Sequence, residues 1–430
     1  MFSLSDLGIS WERAKLSNDI PVSFFVRKGS PVVFFIAFPT GSFDDPTDKA
    51  GITHFLEHLL LGSELGGSDI NQELEKLGGS INGFTWYDVL ALHAHFGDAK
   101  DLDAVAGIFA NSLTNFQVSD KFFETEKDVI LQEIELQNSD PEKLADVLDG
   151  KAVFSGTPYE EPVIGNAESL KSVSIADAKR HLGNMLSKRP AILVAGDINT
   201  HDTLKSLERH YGNLKFSGKS DLTPITPNEL QNVVKTNNNN FVNTRYSFRA
   251  PGYTAGGMKE FVTLNFLSRA LSGPLSSILP TEIRKKLGLV YWIDATIFSF
   301  ARVGEFVISF GTEPKNLLKL LSRLGEIMNT LGTEGLTEEQ MQFTRNYFLK
   351  TRKLYFENIF QIVEYHYFGE LFLPEGYPSL EDFVQKILNV TNDDVKRVAK
   401  KYLRPDNLAI TAVGNLDGID LPFLKNSIRM

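Results

Sequence analysis

The 430-residue chain has no cysteine, which excludes disulfides, thiolate nucleophiles, cysteine-ligated zinc and iron–sulfur clusters. Any metal must be held by histidines and carboxylates. Positive charge is also in deficit: 44 Lys and Arg stand against 54 Asp and Glu, a net charge of −10, so there is no electrostatic footprint for nucleic acid or for an anionic membrane. No long apolar run is present either. The most apolar stretch near the start, Pro31 to Phe38 (PVVFFIAF), is far short of the ~20 residues a spanning helix needs and reads as a buried strand. Asp6 and Glu12 stand where an export signal needs a basic start and an unbroken apolar run. A cytoplasmic protein with no membrane partner is therefore expected. What is there is an ordinary globular mix, 42% hydrophobic and 23% charged, long enough for two large domains or about three of average size.

The chain resembles itself. The segment SVSIADAKRHLGNMLSKRPAILVAGDIN, with Asp177, Lys179, Arg180 and Gly196, matches NVTNDDVKRVAKKYLRPDNLAITAVGNLD, with Asp394, Lys396, Arg397 and Gly414, at an offset of 217 between Lys179 and Lys396. Upstream, Phe96-Gly97 matches Phe310-Gly311 at an offset of 214. Two separated matches at nearly one offset indicate an internal duplication. Lys215 to Phe241, with the prolines of LTPITP and the run Asn237 to Asn240, reads as an exposed linker. The expected domains are 1–214, a linker 215–241, and 242–430. In each half, strand-like runs (Val22–Val26, Val32–Phe38, Leu90–Phe96, Ile192–Ala195) mix with helical patterns such as Leu102–Thr114 and Phe122–Gln137. Turn signals at Asn18-Asp19 and Lys28 to Ser30 favour antiparallel hairpins. The expected class is α+β, twice over.

One constellation carries chemistry. GITHFLEHLLLG places His54, Glu57 and His58 at i, i+3 and i+4 of a helix, on one face, with Phe55, Leu56, Leu59 and Leu60 free to face the core and Gly62 as a stop. Two imidazoles one turn apart can hold a single zinc, with a carboxylate between them to act on water. With 8 His and 54 acidic residues in the chain, about 0.02 such motifs are expected by chance. HxxEH is the inverzincin pattern, and it needs a further protein ligand. Candidates lie in FFETEKDVILQEIELQNSD, where Glu126 and Glu133 are two helical turns apart and stack on one face. Spacing alone does not choose between them.

HFLEH followed by EKDVILQEI resembles the pitrilysin/insulinase-type (M16-like) zinc peptidases, nearest the mitochondrial-processing-peptidase-like branch, across nearly the whole chain. The resemblance implies a LuxS/MPP-like metallohydrolase fold and one Zn²⁺ per chain. It implies Glu133 as the third ligand, 74 residues intervening after His58, Glu126 as its support and Glu57 as general base. GGSINGFTWYDV resembles the family's edge strand beside the metal, with Asn82, Gly83 and Phe84 implied as substrate-binding through β-augmentation. LPTEIRKKLGLVYW resembles its Arg-x6-Tyr element, here Arg284 and Tyr291. Aligning Gly62 with Gly273 puts Asn265, Ser268 and Arg269 where His54, Glu57 and His58 stand, so the second half holds no metal. Leu59-Leu60-Leu61 lacks the methionine and phenylalanine common after the motif, and Leu90 stands where a polar residue is frequent. The implied function is a zinc endopeptidase acting on peptides or unfolded small proteins enclosed between two domains. A homodimer or a sister subunit is the implied partner; the alternative is a non-catalytic structural or assembly subunit.

Overall fold

The computed structural model describes residues 3–65, 68–218, 222–253, 257–373, 377–416 and 419. Its contacts divide the chain into two compact units, each built on one sheet.

The first sheet contains β1 (Ser10–Lys15), β2 (Pro21–Val26), β3 (Val32–Phe38), β4 (Ser80–Thr85), β5 (Leu90–Phe96) and β6 (Ala191–Gly196) in the order β1-β2-β6-β3-β5-β4. Asn18-Asp19 makes the expected β1–β2 hairpin, with Asp19 at φ 67°. Lys28 to Ser30 joins β2 to β3, but these are not neighbours: β6 inserts between them, parallel to β2 and antiparallel to β3. The reason is in β6 itself, AILVAG, buried at every position. A run apolar on both faces belongs in a sheet interior rather than at an edge. β4 is left at the edge, paired on one side only.

One face of this sheet presents Phe34, Ile36, Phe38, Leu92 and Ala94 to a core that includes Leu56 and Leu60 of α1 (Ile52–Leu61) and Val105, Ala106 and Phe109 of α2 (Leu102–Thr114). The other face presents Phe25 and Phe35 to the helix Phe360–Phe372, whose His366 packs on Phe25 and Trp11 and whose Phe360 and Tyr367 pack on Phe35. A second apolar cluster joins Ile52, Phe55 and Leu59 of α1 to Phe123, Ile130 and Ile134 of α3 (Asp120–Ser139). These two clusters take opposite flanks of α1 and leave its His54–Glu57–His58 stripe for the site.

The second sheet contains β7 (Val233–Thr236), β8 (Val242–Pro251), β9 (Val290–Ser299), β10 (Val303–Thr312) and β11 (Leu408–Gly414), in the order β9-β10-β8-β11-β7. Read from its far end, β7-β11-β8-β10-β9 repeats β2-β6-β3-β5-β4, including the single parallel pair, β7 with β11 and β2 with β6. The duplication is thus visible in topology. It extends to details: Gly196 (φ 133°) and Gly414 (φ 157°) both lie so close to neighbouring backbone that a Cβ would fall 2.6 Å from Pro31 O and 2.3 Å from Phe241 O. Ser174 with Asp177 and Thr391 with Asp394 form equivalent capping boxes, each satisfying two orphan amides. The remaining helices of this unit include α4 (Pro141–Phe154), α5 (Met258–Ser272), α6 (Leu317–Thr333) and α7 (Glu338–Tyr355).

The units do not follow the contiguous boundaries expected from the sequence. Residues 135–161 belong with the second sheet and 352–382 with the first. The packing explains both. In α4, Leu144 and Ala145 pack on Val413 of β11, and Asp149 accepts hydrogen bonds from Ser247 of β8 (2.7 Å) and Thr411 of β11 (2.9 Å). In the helix Phe360–Phe372, Glu370 accepts from Ser23 of β2 (2.7 Å) and Arg13 of β1 (2.9 Å). The expected linker runs partly extended through β7; its residues 219–221 lie outside the described ones.

Candidate metal centre

The metal motif sits on α1 because its entry and exit are pinned from elsewhere. Gly51 caps the helix at φ 92°, a conformation glycine reaches without strain. Asp45 receives the amides of Gly51 (2.7 Å) and Thr53 (3.2 Å) and the Thr53 hydroxyl (2.5 Å), so a carboxylate from the preceding loop does the capping. Thr53 Oγ1 also lies 2.7 Å from His181 Nε2. Burial pushes Asp45 up to about 7 and His181 down to about 4. At the other end, Gly62 takes the expected stop and faces the ring of Phe122 in α3, which a Cβ would meet at 2.0 Å.

With α1 and α3 so joined, His54, His58 and Glu133 each offer one ligand atom, and these atoms lie within 4.8 Å of one another. The His54 and His58 rings are 4.8 Å apart. Glu126 Oε2 lies 3.1 Å from His58 Nδ1, the carboxylate–histidine pairing that fixes the tautomer and orientation of a ligating imidazole. His54 Nδ1 is buried with no hydrogen-bond partner among the described residues. Burial, with His58 beside it, lowers His54 to about 4, so this imidazole is held in the neutral form that binds metals. Two histidines and a carboxylate are a catalytic zinc donor set, and the residues present fit such an ion. Glu135, exposed, lies outside the cluster.

Glu57 is 6% exposed and points to the edge of the first sheet. Its Oε2 accepts the hydroxyl of Thr85 on β4 (2.7 Å). Burial raises its pKa, opposed by the Thr85 hydrogen bond and by His58, with Glu133 adding to the rise. Gly83 makes room for it: a Cβ there would stand 3.0 Å from both Glu57 Cγ and Oε1. Strand alternation divides the three predicted edge residues. Gly83 faces Glu57, whereas Phe84 packs on Phe35 and Tyr367 on the opposite face. Asn82 shares that opposite face by register, and its Oδ1 accepts the Gly83 amide (2.8 Å).

In the second unit, Arg284 lies on a π-helical segment, Pro280–Lys286, with its guanidinium 5.2 Å from the ring centre of Tyr291, which is 78% exposed. The two residues that the resemblance singled out do meet. Asn265, Ser268 and Arg269 lie on α5, where Arg269 Nε donates to Asn265 Oδ1 (3.1 Å). The described residues contain no other metal-capable cluster than that of His54, His58 and Glu133. Sequence reading missed Thr85, Asp45 and His181. Thr85 was within reach, because it follows Gly83 by the strand period of two; Asp45 lies only six residues before Gly51 but outside the usual cap position, and His181 acts across the fold and leaves no local signal.

Residues 30–167 match the model of the insulinase family, peptidase family M16, and residues 184–348 match the model of the M16 inactive domain. An uncharacterized zinc protease of Mycobacterium tuberculosis is 28% identical over 84% of this chain and 84% of its own. One from Bacillus subtilis is 24% identical over 89% and 93%. A protease from Helicobacter pylori superposes with a TM-score of 0.82 at 18% identity, covering 94% of this chain and 99% of that one. Among the described residues no helix is long and apolar enough to cross a membrane.

Proposed function

The chain belongs to the M16 peptidase family, and from that premise we propose that it is a zinc-dependent endopeptidase cutting peptides or unfolded small proteins. The observation that carries the reading is the convergence of His54, His58 and Glu133 beside a buried Glu57, at an open sheet edge. His54, His58 and Glu133 would hold one zinc ion, which when bound supplies Lewis acidity and makes water acidic enough to be a nucleophile near neutral pH. Glu57 is the general base: burial brings its proton affinity toward the working pH, and the Thr85 hydroxyl fixes the carboxylate's direction. Glu126 orients His58 through Nδ1.

The substrate main chain adds to the free side of β4, where unpaired amides and carbonyls would read it by backbone hydrogen bonds and give low sequence selectivity. Gly83 keeps that edge close to Glu57. Arg284 and Tyr291 serve as donors to the substrate carbonyl as negative charge builds on it. On the resemblance alone, the protein pairs with a second copy or a sister subunit in the cytoplasm. The test is metal analysis of the purified protein, with cleavage of a mixed peptide library with and without chelator. Stoichiometric zinc and chelator-sensitive cleavage are expected; no metal and no cleavage would transfer the protein to a structural, non-catalytic role.

A further inference from the structure

The half without metal ligands has a feature the proposed chemistry does not use. Between α5, the Pro280–Lys286 segment, α6 and α7 lies a cavity of about 470 Å³, within the ~300–1,000 Å³ range of small-molecule sites. Its apolar wall includes Ile327, Leu331, Leu336 and Phe343. The first three are buried, and Phe343 is 41% exposed at the opening. Three charged side chains line it: Glu282, Glu339 and Arg323.

The charges are not equivalent. Arg323 is already held by Glu282 (3.0 Å) and Glu326 (2.7 Å), so its guanidinium is not open to an anionic ligand. Glu339 is exposed and makes no ion pair or hydrogen bond among the described residues. The lining thus carries a net charge of −1 beside an apolar wall, with one carboxylate uncommitted. We infer that this cavity is a binding site for a small amphipathic cation, an amine on an aromatic or branched aliphatic body.

The position of the cavity gives binding a consequence. Glu282 precedes Arg284 by two residues on the same π-helical segment, and its carboxylate ties that segment to α6 through Arg323 while also pairing with Lys286 (2.6 Å). π-helical turns are rare and less regular than α-helix. A cationic ligand seated against Glu339 packs beside Thr281 and Glu282 of this segment, so its binding bears on the placing of Arg284 and of the Tyr291 ring beneath it. The site therefore tunes substrate handling, a consequence that rests on the role proposed for Arg284.

The experiment compares 2-phenylethylamine with 3-phenylpropanoate, the same ring bearing a carboxylate, by saturation-transfer NMR and titration calorimetry on the intact zinc-loaded protein. Saturable binding of the amine at one site per chain, with none of the carboxylate, is expected. Glu339→Gln should weaken the amine about two- to fivefold, the scale of one exposed charge pair. Thr330→Trp, placed at an exposed position of the lining, should fill the cavity and abolish binding with the melting temperature unchanged. Equal binding of the carboxylate, unchanged binding in Thr330→Trp, or no saturable binding would overturn the site. The amine should also alter KM for peptide cleavage in the parent protein and not in Thr330→Trp. Binding without any change in cleavage would overturn the link to Arg284, and a parent protein that cuts no peptide at all would count against the peptidase reading while the binding data still decide the site.

Discussion

α1 and α5 occupy matching places in two sheets that share a five-strand order, α1 against the edge strand β4 and α5 against the edge strand β9. α1 carries His54, Glu57 and His58, with Glu133 supplied by α3. α5 carries Asn265, Ser268 and Arg269, with Arg269 donating to the Asn265 side chain and Ser268 to the Asn265 carbonyl. The difference is chemical, not architectural: both helices bury their apolar flanks and both halves keep the same caps and tight glycines. All eight histidines also lie in the first unit. A shared scaffold thus separates what the fold requires from what a metal site requires.

The sharpest way to break this comparison is to make α1 chemically like α5. His58→Ala or Glu133→Ala should lower zinc content and abolish peptide cleavage, since each removes a ligand. Glu57→Gln should retain zinc and lose ~10²- to 10⁴-fold in kcat, the contribution of a positioned general base. Zinc by elemental analysis and kcat on one peptide separate the two classes. Full zinc and full activity in Glu133→Ala would overturn the ligand assignment and turn attention to Glu126.

The histidine asymmetry predicts different pH responses: in the first unit five lowered histidines outnumber the three raised carboxylates, Asp45, Glu57 and Glu364, which act the other way. Burial lowers His93 and His181 to about 4, and burial with Arg13 nearby lowers His366 to about 3. A folded pKa below the unfolded one gives stability that is present above ~6.5 and lost as pH falls through the folded value, each such group being linked to something on the order of 3 kcal/mol. In the second unit, burial and Asp149 push Glu305 well up, so its contribution is present at low pH and fades as pH rises. Hydrogen exchange by mass spectrometry, corrected for intrinsic rates, should show amides of the first unit losing protection first between pH 7 and pH 4.5. Earlier loss in the second unit would contradict this.

Tyr291→Phe asks whether the second half only walls the substrate. It keeps the ring on which Arg284 rests and removes one hydroxyl, so kcat should fall ~10²-fold, the scale of one lost donor to a developing oxyanion, at unchanged zinc. Parent kinetics would mean that the metal-free half contributes no chemistry. Glu126→Gln is milder: it weakens the hold on His58 Nδ1 and should cost ~10- to 100-fold in metal affinity or activity, measured by zinc competition with a chelator.

Much of this was legible in the sequence where the cause is local. The HxxEH helix, its Gly62 stop and the β1–β2 turn each follow from a few neighbouring residues, and the repeat of Gly196 and Gly414 announced the duplicated sheets. The placing of β6 between β2 and β3 was not legible from turn signals, because turns set how strands connect and not which strand pairs beside them. The exchange of 135–161 and 352–382 between units was hidden for a similar reason: amphipathic helices declare an apolar face without naming the sheet that will cover it. In the site, Glu133 was reached only through the family resemblance, since Glu126 satisfies the same helical period.

The smallest effect is expected where α5 copies the geometry of α1 without its chemistry. Asn265→Ala removes the acceptor of the Arg269 hydrogen bond, half-buried on a helix whose other face is core. A hydrogen bond from a charged guanidinium contributes about 1.5–3 kcal/mol. Arg269 also rests over the Phe348 ring, 5.1 Å from its centre, and keeps that contact, so the loss should fall at the lower end of that range. Thermal melts should therefore show a drop of a few degrees at most, with zinc content, kcat and KM unchanged. A large fall in kcat at unchanged stability would show that the Asn265–Arg269 pair acts on substrate, and that the half without metal ligands is not chemically silent.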